Sequence, residues 1–124
     1  MWVDGRQFGR PARLLFKGKR RAKVKGLIDV FEDPADVYRI RVRAHHRVRI
    51  RAVPTGRRDD IALRVYRRKA KSLSARPYRK SAHRGHRTER LVLRNRGKRP
   101  KVYYVALAVQ GRRLLDATYA LRVG

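Results

Sequence analysis

Two short runs in this chain place arginine at every second position, with apolar residues between. One is Tyr38-Arg39-Ile40-Arg41-Val42-Arg43-Ala44 and the other is Val48-Arg49-Ile50-Arg51-Ala52. A period of two is what a strand needs when one face is buried and the other is wet. Tyr38, Ile40, Val42, Ala44, Val48, Ile50 and Ala52 are therefore expected on a core side. Arg39, Arg41, Arg43, Arg49 and Arg51 are expected on a solvent side. A chain with such runs folds as a β domain in a cationic coat.

Further strand signals recur at roughly ten-residue spacing. They cover 24–31, 37–44, 48–53, 61–66, a weak stretch at 74–80, then 88–95, 102–109 and 118–123. Turn residues separate them, among them Pro54-Thr55-Gly56 and Asn95-Arg96-Gly97-Lys98. The run 102–109 is the most apolar and reads as a central strand covered on both faces. No segment carries a helical period. Seven or eight short strands in this order predict an all-β chain, an antiparallel jelly-roll-like β-sandwich. The expected core includes Ile40, Val42, Ile50, Leu63, Val65, Leu91, Leu93, Tyr104, Leu121 and Val123. If strands 37–44 and 48–53 form a hairpin, Val42 must oppose Ile50 and the three-residue loop needs one left-handed residue. The alternative is that the two strands belong to different sheets. Residues 1–21 hold Gly5, Gly9, Pro11 and Gly18 and read as an irregular basic arm. In it, Leu14-Leu15-Phe16 is a possible edge strand or plug. Residues 22–124 are the domain.

The chain has 124 residues, enough for one core. Its 36 Lys and Arg against 9 Asp and Glu give a formal charge of +27, which points to an acidic partner. Disorder is disfavoured because the 42% of hydrophobic residues alternate in order. There is no cysteine, which excludes disulfides and thiolate metal sites. The N-terminus lacks the apolar core of a signal peptide, and no stretch approaches the ~20 apolar residues of a membrane helix. The chain is thus expected to be cytoplasmic or a piece of a longer secreted protein, without membrane insertion, and monomeric.

The order of motifs is also familiar. Gly26-Leu27-Ile28-Asp29, Asp36-Val37-Tyr38-Arg39-Ile40, Asp60-Ile61-Ala62-Leu63-Arg64-Val65-Tyr66, Tyr103-Tyr104-Val105 and Tyr119-Ala120-Leu121-Arg122-Val123 follow one another over residues 26–123. In this the chain resembles the bacterial pre-peptidase C-terminal domain. The resemblance implies a β-sandwich without catalytic residues, working as an accessory module for tethering, secretion or substrate contact. The implied partner is the catalytic domain of a secreted hydrolase, the implied location is extracellular, and calcium is an implied ligand. Two departures stand out. Ala44-His45-His46 replaces a small turn, and five residues separate Gly97 from Tyr103.

Four acids lie within eight residues: Asp29, Glu32, Asp33 and Asp36. They are the expected calcium ligands if any is bound, since calcium takes six to eight oxygens. The favoured alternative is turn chemistry together with ion pairs to nearby arginines. His83-Arg84-Gly85-His86 has ligand-like spacing, but arginines flank it and no acid stands close in sequence. No motif arranges serine, histidine and acid for nucleophilic chemistry, and no glycine-rich phosphate loop is present, so the chain is read as a non-enzyme without a cofactor. The basic positions are the main binding expectation: Arg39, Arg41, Arg43, Arg49 and Arg51 on strands, then Arg67, Arg68, Arg79 and Arg84 beyond them. Arginine forks suit phosphate, sulfate and carboxylate. Tyr66 and Tyr78 are candidates for stacking on bases, although Tyr66, alternating with Val65, reads rather as core or sheet surface. The competing function is therefore a stand-alone protein that binds nucleic acid or another polyanion. Non-specific nucleic-acid binding at low salt is expected in either case.

Overall fold

The computed structural model describes residues 13–14, 22–28, 35–71, 73–110 and 116–124. Nine strands run in chain order: β1 (Arg13–Leu14), β2 (Ala22–Ile28), β3 (Ala35–Val42), β4 (Arg47–Pro54), β5 (Ile61–Arg67), β6 (Arg79–Ser81), β7 (Glu89–Arg94), β8 (Lys101–Val109) and β9 (Ala117–Val123). They form two sheets, a five-stranded one in the order β1-β3-β8-β5-β6 and a four-stranded one in the order β2-β9-β4-β7. Pairing is antiparallel throughout, except that β1 runs parallel to β3 at the edge. From β2 to β9, only the β5–β6 connection stays within one sheet. Every other link crosses to the opposite sheet, as in a jelly roll. The expected all-β sandwich is the fold.

The core lies between the sheets and is built by the period-two residues. Ile40 and Val42 of β3, Ile50 and Ala52 of β4, Leu63 and Val65 of β5, and Leu121 and Val123 of β9 meet there with Val105 and Leu107. Leu93 is buried in the same core, while Leu91 packs against it half-buried. As expected, β8 is central and covered on both faces. Tyr103, Val105 and Leu107 face the core. Tyr104 and Ala106 face outward into a second cluster with Val37 and Tyr66. Ala70, Leu73 and Ala75 close that cluster from above. The segment after β5 therefore folds back over the five-stranded sheet. Tyr66 Oη donates to the Leu73 carbonyl at 3.0 Å to hold it there. Tyr104 is buried as predicted, but in this outer cluster.

One register expectation fails and its alternative holds. Val42 does not oppose Ile50. β3 pairs with β8, with Val42 opposite Lys101, while β4 pairs with β7 and β9. The turn between β3 and β4 is an arch that carries the chain from one sheet to the other. Its sharp bend still needs a left-handed residue, and His45 takes that conformation with φ 60°. Of the expected N-terminal arm, only the edge strand β1 lies within the described residues.

Candidate cationic face

Splitting β3 from β4 also splits the predicted arginines. Arg39 and Arg41 lie on the outer side of the five-stranded sheet, and Arg43 begins the arch. Arg49 and Arg51 lie on the outer side of the four-stranded sheet, across the sandwich. The single arginine face expected from the alternation does not exist, because a strand's period sets which residues share a face but not which sheet the strand joins.

What the structure gathers instead comes from four strands. Lys23 opposes Arg122, Arg122 opposes Arg51, and Arg51 opposes Arg90. This is one row of cations across the whole sheet. At about 4.8 Å per strand it extends roughly 14 Å. Lys25, Arg49, Arg47 and Arg94 share its side, and Arg47 directly opposes Arg94. The remaining outward residues of these strands are Leu27, Val53, Val92, Thr118 and Ala120. None is acidic and none is aromatic. Leu27 is 58% exposed and Val92 46%, so the face has two bare apolar points among its charges. Like charges opposed across strands are destabilising. Among the described residues, no ion pair joins a carboxylate to any of these cations. The six additional basic residues, Lys23, Lys25, Arg47, Arg90, Arg94 and Arg122, follow the same alternation in sequence. Only the register shows that they meet.

The described acids lie elsewhere, all at one end of the sandwich. Asp36, Asp59, Asp60, Glu89 and Asp116 sit at or just before the starts of β3, β5, β7 and β9, which share that end. Three of them are held by amides, hydroxyls and an imidazole. Asp59 Oδ2 accepts from the Gly56 amide at 2.7 Å and from the Thr118 amide at 3.0 Å. Asp60 accepts from Gln110 Nε2 at 2.8 Å and from the Gly85 amide at 2.9 Å. Glu89 is fully buried and accepts from Ser81 Oγ, from the His83 amide at 2.7 Å and from His83 Nδ1 at 2.8 Å. An acid therefore does stand beside His83, six residues downstream. Ser81 Oγ donates to the Glu89 carboxylate rather than to an imidazole, so the trio lacks the serine–histidine contact of a catalytic triad.

Of the four calcium candidates, Asp29, Glu32 and Asp33 lie outside the described residues. Asp36 accepts from Tyr119 Oη at 2.5 Å, and Tyr38 Oη donates in turn to Tyr119 Oη at 2.5 Å. Burial, reinforced by these bonds, holds the Tyr119 phenol far above the usual tyrosine range. Among the described residues no three His, Asp or Glu side chains converge on a metal position.

The remaining predicted residues are dispersed. The Arg67 and Arg79 guanidiniums lie 4.5 and 4.9 Å from the Tyr78 ring centroid, and Tyr78 stacks on Tyr103 at 5.7 Å. Tyr78 is thus already engaged and Tyr66 is fully buried, so neither offers a face to a base. Arg68 lies exposed in the turn after β5, and Arg84 in the exposed bend at the acidic end.

At the opposite end, His45, His46 and Arg47 from the arch meet Arg94, Asn95 and Arg96 from the end of β7. They line an open cleft of about 390 Å³. Asn95 is its buried post. Its Nδ2 donates to the carbonyls of Val42 at 3.1 Å and Arg99 at 2.7 Å, and its backbone amide donates to His46 O at 2.9 Å.

No protein-family model matches the sequence, and no curated protein matches it. Solved structures do. The pre-peptidase C-terminal domain of collagenase from Bacillus anthracis superposes with a TM-score of 0.65 at 17% identity, covering 91% of this chain and 94% of that one. Aeromonas hydrophila PliG, a periplasmic inhibitor of g-type lysozyme, superposes with a TM-score of 0.50 at 15% identity, covering 94% of this chain and 90% of that one. The chain has the fold of a pre-peptidase C-terminal domain.

Proposed function

We propose that this protein is a non-catalytic β-sandwich module that holds an acidic polymer on the outer face of its four-stranded sheet. The observation that carries this reading is the row Lys23, Arg122, Arg51 and Arg90, set in a face where no described side chain is acidic. Such a face is unfavourable in isolation, and a polyanion relieves its self-repulsion. Among the described residues the face has no ring for bases to stack on, so the polymer is held through its charged backbone and without sequence readout. An accessory module of this kind tethers a catalytic partner to an acidic substrate or surface. The likeness to a domain of a collagenase supports that role.

The test compares two double variants that lower the net charge equally. Arg51→Glu with Arg122→Glu alters the row. Arg68→Glu with Arg84→Glu alters exposed positions away from it. Binding of fluorescent heparin and of an oligo-deoxythymidine is followed by anisotropy across a salt series. The row variant should lose at least about tenfold more affinity than the control. Its dependence of log affinity on log salt should flatten by about 0.7 for each oligonucleotide phosphate that the variant no longer neutralises. Equal losses in the two variants would mean that net charge, not this face, does the binding.

A further inference from the structure

We propose that the cleft between the β3–β4 arch and the end of β7 is a binding site for a single oxyanion group, a phosphate or sulfate ester. It deepens the polymer-binding reading by naming the pendant group such a polymer presents, and rests on that reading only for the identity of the carrier. Three observations converge here. The walls are His45, His46, Arg47, Arg94 and Arg96, and the post is Asn95, so the lining side chains are cations, imidazoles and one amide. The walls are fixed by a buried side chain, because Asn95 ties together the end of β3, the arch and the loop before β8. The described acids all sit at the far end of the sandwich, a strand length or roughly 20 Å away. A concave lining rich in cationic and imidazole side chains, with no acidic side chain among its residues, suits a tetrahedral oxyanion.

The histidines give the site a second property. His46 Nδ1 lies 2.7 Å from the Ala44 carbonyl and donates to it, which leaves Nε2 as the ring's remaining polar atom. A protonated ring presents an additional donor there together with a full positive charge. The charged groups around His45 and His46 are Arg43 and Arg47 on their own turn, with Arg94 and Arg96 from β7 and the loop beyond it. An anion held beside the rings interacts more favourably with their protonated forms, so anion binding and imidazole protonation reinforce each other, by reciprocity of coupling. The Arg47–Arg94 pair joins the cleft to the cationic face, so one polymer can engage both.

The experiment is a titration of the ¹⁵N-labelled protein with inorganic sulfate, at constant ionic strength set by sodium chloride and at pH 5.5 and 7.5. Sulfate keeps its charge over that range, so any change in affinity belongs to the protein. One saturable set of shifts is expected at His45 to Arg47 and Arg94 to Arg96, with affinity at least about fivefold tighter at pH 5.5. Phenyl phosphate and phenyl sulfate then distinguish the two esters by which competes better. Arg96→Gln with His45→Asn, the latter tolerant of the left-handed turn, should abolish the saturable shifts and the pH effect. Arg51→Glu with Arg122→Glu should leave both intact even where polymer binding is lost, which separates failure of the cleft from failure of the face. Shifts spread evenly over all arginine-rich strands without saturation would overturn the proposal. So would a saturable site that ignores pH or survives the cleft variant.

Discussion

Replacing Gly26 with alanine tests the packing at the seam between β2 and β9. Gly26 stands directly opposite Tyr119, and the ring lies over the glycine. A Cβ added there would meet Cε1 of that ring at 2.8 Å, with Cζ and the hydroxyl closer still. Gly26 is not in the left-handed region, so backbone strain plays no part. The ring must move, and its hydroxyl is fixed between Tyr38 and Asp36. Overpacking costs about 1–3 kcal/mol. Displacing the bond to the Asp36 carboxylate adds about 1.5–3 kcal/mol. A loss of about 3–5 kcal/mol is a large share of the 5–15 kcal/mol expected for a whole domain. Urea unfolding followed by circular dichroism should show a midpoint lower by roughly 2 M for a slope near 2 kcal/mol per molar. In a Tyr119→Leu background the ring is gone, and the same substitution should cost less than about 1 kcal/mol. A Gly26→Ala protein within about 0.5 kcal/mol of the parent, or an undiminished loss in the Tyr119→Leu background, would refute the close approach as the reason for the glycine.

Val42 is fully buried and Arg41 beside it is exposed, so thermal melts should show Val42→Asp unfolded or destabilised by several kcal/mol, and Arg41→Asp within about 0.5 kcal/mol of the parent. The reverse result would invert the faces of β3. Alkaline pH should also weaken the fold. Burial raises Tyr119, Tyr103 and Tyr66 above the ordinary tyrosine value of 10.0, so above that pH the unfolded chain releases protons that the folded chain keeps. The stability these neutral phenols contribute is complete below pH 10.0 and falls as pH rises beyond it, by up to about 1.4 kcal/mol per unit for each group. Chemical unfolding between pH 9 and 11.5 should give a shallower decline for Tyr119→Phe, and an unchanged slope would remove Tyr119 as a contributor.

The strands were legible because one-sided burial forces a period of two, and Ile40, Val42, Ile50, Leu63 and Leu121 are buried where that period puts them. Central β8 was legible from its unbroken apolar run. Sheet membership was not, since the alternation in β3 reads the same whether β4 lies beside it or across the core. That ambiguity misassembled the arginine face. The row from Lys23 to Arg90 joins residues far apart in sequence through three separate registers, none of which leaves a local mark. Tyr66 was legible as core or sheet surface from its alternation with Val65, and it is buried. The segment that covers it, through Ala70, Leu73 and Ala75, is too sparse in large apolar groups to read as a lid. Glu89 gave no sign of burial either, because its donors, Ser81 and His83, belong to a stretch that reads as basic loop.

The placement of the acids at the starts of β3, β5, β7 and β9 makes the molecule an electric dipole on top of its net charge. A dipolar cation near a polyanion experiences a torque as well as an attraction. On the polymer-binding reading, the arch and the end of β7 would lead the approach, because the other end offsets Arg57, Arg58, Arg84 and Arg87 with Asp59, Asp60 and Glu89. First encounters are therefore oriented before the surfaces touch, over a distance set by the Debye length, about 10 Å at 0.1 M salt. A neighbour attached at the trailing end is carried facing away from the polymer, and at high salt the same pair tumbles without preference.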